Sequence, residues 1–150
     1  MKTHLIICMG LSIMVLASCD KDKFQTKPSI EIKSLSTKEV PAQNGTMNIR
    51  LNYTDKEGDL GKGILTYIRI RTNGTPIPNP NNNDKIDTVR TPIPDFPSKN
   101  NGELDILFNY NFMDEDPFRN DTMYFKITVQ DRGGNNSDTI STPSVVARQI

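Results

Sequence analysis

The chain has 150 residues, with 18 Lys plus Arg against 18 Asp plus Glu, one histidine, two cysteines and no tryptophan. Balanced charge without a Lys/Arg run lacks the electrostatic footprint of nucleic-acid binding, which leaves no nucleic acid among the expected partners.

The N-terminus carries a short basic leader, Met1 to His4, an apolar run over residues 5–17, and "LASC" at 16–19. That run is shorter than the roughly 20 residues a membrane span needs, and it fits the core of a signal peptide. "LASC" resembles the lipobox of bacterial lipoproteins. The resemblance implies a signal peptide over 1–18, cleavage before Cys19 and lipidation of its thiol, with acyl chains such as palmitate holding the protein at the membrane. An uncleaved anchor or an ordinary secreted protein is the alternative. Several acyl chains hold firmly, since each buried methylene contributes about 0.8 kcal/mol. Cleavage also removes His4 and Cys8, the only histidine and one of two cysteines. The mature chain then has no internal disulfide, no Ser-His-Asp or Cys-His site, and no zinc site of the usual ligands. It reads as non-catalytic.

Residues 19–28 form the lipidated cysteine and a charged tether, "DKDKFQTKP". Residues 29–150 suffice for one domain with its own core. Period-two alternation dominates them. In "TMNIRLNYT" the residues Met47, Ile49, Leu51 and Tyr53 share a face. "GILTYIRIR" is expected to bury Ile64, Ile68 and Ile70 and to turn Tyr67, Arg69 and Arg71 outward. "ELDILFNYN" aligns Leu104, Ile106, Phe108 and Tyr110, and "TMYFKITVQ" aligns Met123, Phe125, Ile127 and Val129. Shorter candidates are 29–36, 86–90 and 137–146. About seven short strands with Gly/Pro/Asn-rich turns predict a single antiparallel β-sandwich, with a small barrel as the alternative.

"DTMYFKITVQDRGGNNSDT", 121–139, resembles the penultimate strand, turn and last strand of immunoglobulin-like and cadherin-like sandwiches. With the lipobox and the acidic loops, the chain resembles small Bacteroidetes-type lipoproteins. That resemblance implies the cell envelope, at the outer membrane, on its periplasmic or surface face.

"DKEGDLGKG", 55–63, sets Asp55, Glu57 and Asp59 at alternate positions between two strands. In a sandwich of this topology its pole also holds the loop that begins at Asp131. Four carboxylates with backbone carbonyls and water supply the 6–8 oxygens that one Ca²⁺ needs. The spacing is not that of an EF-hand, since position 6 from Asp55 is Leu60 and position 12 is Thr66. It resembles cadherin-type calcium sites, without their inter-repeat linker. The competing reading is a polar turn in which Lys56 and Lys62 offset the acids.

Asp114, Glu115 and Asp116 read as a solvated turn at the opposite pole. Paired carboxylates also serve glycoside hydrolysis, but nearly every acidic loop offers such pairs. Glycan binding without catalysis is the stronger rival function, with Tyr67, Arg69 and Arg71 as candidate ligand contacts and the Asn/Pro loop 73–84 as a recognition tip. A protein or glycan partner stays open. Asp-Thr-apolar triplets at 87–89, 121–123 and 138–140 resemble the O-glycosylation signal of Bacteroidetes-type cells, which implies attachment at Thr88, Thr122 and Thr139.

Overall fold

The structure, a computed structural model, describes residues 27–77 and 88–150. The leader, Cys19 and most of the tether lie outside the described residues, as does much of the loop 73–84.

Where polar and apolar residues alternate, the chain builds strands with one dry face. The strands are β1 (Ser29–Leu35), β2 (Glu39–Pro41), β3 (Thr46–Thr54), β4 (Ile64–Arg71), β5 (Thr88–Pro92), β6 (Asn101–Asn109), β7 (Asp121–Gln130), β8 (Ile140–Ser141) and β9 (Val145–Arg148). One four-residue helix, α1 (Tyr110–Met113), follows β6, and the Asn109 side chain caps it by accepting from the Phe112 N–H at 2.9 Å. Among the described residues no helix is long and apolar enough to cross a membrane.

Two sheets result. One has the order β1-β3-β6; the other runs β2-β9-β7-β4-β5, with β8 also on β7. Their inner faces share one core. Met47, Ile49, Leu51 and Tyr53 of β3 meet Met123, Phe125, Ile127 and Val129 of β7, all buried as their alternation predicts. Phe108 of β6 stacks on Phe125 with ring centroids 4.3 Å apart, which joins the two sheets. The arrangement is all-β and sandwich-like.

Three local expectations need correction. The pairing is not wholly antiparallel: β2, a strand outside the expected set, pairs with β9 in parallel, Val40 opposite Ala147. The segment 137–146 is divided between β8 and β9. In β4 the inward face is Leu65, Tyr67 and Arg69, not the isoleucines. Isoleucine ordinarily outranks arginine for burial. Here the acids of the 114–121 segment lie under the far half of β4 and neutralise its arginines, so Ile64, Ile68 and Ile70 take the outer face, half-buried.

Candidate functional site

The loop after β3 is shaped by its first residue. Asp55 is 1% exposed, and its carboxylate accepts from the N–H groups of Glu57 at 3.2 Å and Asp59 at 2.9 Å. These bonds curl the backbone around the side chain, the familiar use of Asp in turns. Gly58 follows with φ +68, a left-handed conformation that glycine adopts without steric cost. Ser98 Oγ donates to the Gly58 carbonyl at 2.8 Å, and Asn100 Nδ2 donates to that of Lys56 at 3.2 Å. Leu60, fully buried, pins the far half of the loop to the core.

The loop after β7 repeats the device. Asp131, 3% exposed, accepts from the backbone N–H and side-chain amide of Asn135 at 2.8 and 2.9 Å. Gly133 then donates its N–H to Asp59 Oδ2 at 3.1 Å, and Arg132 N–H donates to the Asp59 carbonyl at 3.3 Å. The two loops therefore meet at one pole, and oxygens of Asp55, Asp59 and Asp131 lie within 4.8 Å of one another.

Three of the four expected carboxylates converge. Glu57 does not join them: the turn leaves it exposed and outside the group. No cation answers the cluster. Among the described residues none of the three forms an ion pair, and Lys62 instead meets Asp95 at 2.9 Å. Asp59 Oδ1 is buried without a hydrogen-bond partner. Its carboxyl group is pushed above the usual range by burial, then by the charges of Asp131 and Asp55, against the opposing N–H of Gly133.

The other expected residues are scattered. Tyr67 packs edge-on against Phe108 and Phe112, with centroids at 5.0 and 5.8 Å. The Arg69 side chain is fully buried. It donates to the Phe112 carbonyl and to Glu115, with its guanidinium carbon 5.2 Å from the Phe112 ring centroid. Arg71 pairs with Asp121 and donates to the Thr75 carbonyl at 3.0 Å. Thr88 and Thr139 are exposed. Thr122 is half-buried, its N–H donated to Asn73 Oδ1 at 2.7 Å. Cys19 is outside the described residues.

The acidic segment before Pro117 is not a solvated turn. Asp116 and Asp121 are fully buried, and Glu115 nearly so. Asp121 accepts from the N–H groups of Glu115 and Asp116 at 2.6 and 2.7 Å. Burial raises the Asp121 carboxyl group, but the Arg71 hydrogen bond and those two N–H groups outweigh it and hold it below the usual range. The sequence signal for this cluster is charge matching: two arginines in phase with Leu65 and Tyr67, and an acid-rich "MDEDPFRND" elsewhere in the chain.

No protein-family model matches the chain, and no curated protein matches it. Among solved structures, the crystal structure of the PmoD soluble domain from Methylocystis sp. (Rockwell) aligns with 80% of this chain and 90% of that one. The identity is 16% and the TM-score 0.34, a likeness that carries no argument about function.

Proposed function

We propose that the chain is a lipid-anchored, non-catalytic accessory module of the cell envelope, built on an immunoglobulin-like sandwich and stabilised by one Ca²⁺ at the pole where the tether leaves. The strand order supports the immunoglobulin-like assignment. A three-stranded sheet faces a larger one whose outermost strand runs parallel to the last strand. Ser29 pairs with Thr54, one residue before Asp55, so the tether departs beside the acidic loops. The segment "LASC" supports the lipid anchor on Cys19.

The metal reading rests on one observation above the others: three carboxylates share one pole without a cation, and Asp59 Oδ1 is buried without a partner. A buried, unpaired carboxylate oxygen is costly, and a hard cation satisfies all three acids at once. Calcium, with flexible geometry, suits three carboxylates completed by carbonyls and water; magnesium demands a stricter octahedron. Thermal melting with calcium against chelator is the test. A higher melting temperature in calcium, lost in Asp59→Asn, supports the metal; no shift at saturating calcium overturns it. Release of Cys19→Ser from the membrane fraction tests the anchor separately.

A further inference from the structure

One lateral side of the molecule carries two open sheet edges. Among the described residues β5 pairs only with β4, and β6 only with β3. Between the two edges Leu65, Ile93 and Leu104 line a groove of about 230 Å³. Open edges present rows of unpaired backbone N–H and C=O groups, which invite a further strand.

The backbone phase of each edge is fixed by its neighbours. Ile93 donates its N–H to Gly63 on the β4 side at 2.9 Å, so Thr88 and Arg90, in the opposite phase, turn their polar groups to the open side. On β6, Tyr110 donates to Gly45 at 2.8 Å and Asn100 accepts from Asp55 at 2.8 Å, both on the β3 side. Glu103, Asp105 and Leu107 therefore face the open side. Leu107 is 70% exposed.

The two edges also differ in charge. Arg90 is exposed on β5 and forms no ion pair among the described residues. Glu103 and Asp105 are exposed on β6, held from behind by Lys33 and by Arg50, which meets Asp105 at 2.8 Å.

We infer that this side is a homodimer interface, in which β5 of each copy adds to β6 of the other. β3 runs toward the 55–63 loop and β4 away from it, so β5 runs toward that pole and β6 away. A half-turn about an axis parallel to the strands preserves those directions and makes each new pair antiparallel. The groove sets Thr91, Pro92, Ile93 and Pro94 beside Leu104 and Asp105, so Arg90 of one copy falls level with the Glu103 and Asp105 acids of the other. The alternative half-turn sets β6 against β6 and acid against acid, which cross-strand electrostatics disfavours. The contact is isologous, closes on itself and covers both apolar grooves. A sugar on Thr88 closes the same edge, so the unglycosylated chain is the sample to use.

Sedimentation velocity of the full chain in density-matched detergent, over a range of concentrations, tests the interface. The expected result is a monomer–dimer equilibrium. Arg90→Glu weakens the dimer on the order of tenfold, because two like-charge contacts replace two attractive ones, with the melting temperature of the monomer unchanged. Thr88→Lys, which adds a second cation to the edge that meets those acids, tightens it. A chain that stays monomeric throughout, a dimer indifferent to Arg90→Glu, or two variants that shift the equilibrium in the same direction overturns the interface.

Discussion

Asp59 and Gly133 lie 74 positions apart in the chain, yet the Gly133 N–H donates to Asp59 Oδ2 at 3.1 Å. This bond joins two loops that are each already curled around an aspartate of their own. It occupies one oxygen of Asp59; the other is buried without a donor, in a residue grouped with Asp55 and Asp131. The loop pole is thus well ordered and electrostatically frustrated at once, and its response to ligand, charge and pH follows from that.

In chelator, Asp59→Asn is expected to leave stability unchanged or raise it, because the amide removes one of three mutually repelling charges and supplies a donor. In calcium the order reverses. A ligand at one hundred times its Kd stabilises the wild type by about 2.7 kcal/mol, and the variant gains nothing. Paired thermal melts of both proteins check this; equal calcium shifts in the two refute it.

Acidity discriminates the two poles. Asp59 titrates above its ordinary value of 3.8, so its stabilising contribution is full below that value and is lost as pH rises through the folded-state value. Asp121 titrates below 3.8, so its contribution is present above that value and is lost as pH falls through the folded-state value. In chelator the melting temperature should rise as pH falls from neutral toward 3.8, then drop below it. Asp59→Asn removes the rise, and saturating calcium suppresses it. A melting temperature that falls monotonically from neutral pH in chelator contradicts this assignment.

Arg69→Ala should destabilise the fold by about 3 kcal/mol, since it removes the nearer cation from Glu115 in a nearly dry site and leaves only Arg71 at 3.6 Å. Arg69→Met combined with Glu115→Gln should recover much of that loss, because an apolar chain replaces the ion pair without leaving a charge behind. Urea unfolding of the three proteins measures both. A near-neutral Arg69→Ala refutes the internal role of this arginine.

Gly63 opens β4 against β7 with no room for a side chain: a Cβ there would lie 2.1 Å from the Gln130 carbonyl oxygen. Gly63→Ala should cost about 1–3 kcal/mol through backbone displacement. The displaced carbonyl belongs to the residue before Asp131, so the calcium shift should shrink as well. An unaltered melting curve speaks against so close an approach.

Much of the fold is legible in residue order. β3, β6 and β7 alternate strictly, and every second residue of β3 and β7 is buried as the period dictates. Asp55, Asp59 and Asp131 are readable as a group because strand order alone brings their loops to one pole. Glu57 is not separable from them in sequence: the left-handed turn at Gly58 that goes with its exclusion is a matter of backbone torsion, not of spacing. The face of β4 is illegible for a different reason. Arginine enters a core only where acids await it, and those acids arrive from a segment more than forty residues later, which local periodicity does not report. The three-residue β2 is too short to show any period, and its partner stands at the other end of the chain.

The directions of the first and last strands have a mechanical consequence. Ser29 enters beside the acidic loops, where it pairs with Thr54, and Arg148 leaves at the far end, near Asp121. Tension applied between these termini acts along the strand axes, so it loads the β1–β3 and β7–β9 ladders in shear, with their hydrogen bonds strained together. Peeling, which breaks such bonds one at a time, has no free corner at which to begin. Force between the two ends therefore meets both sheets in the direction that resists it most.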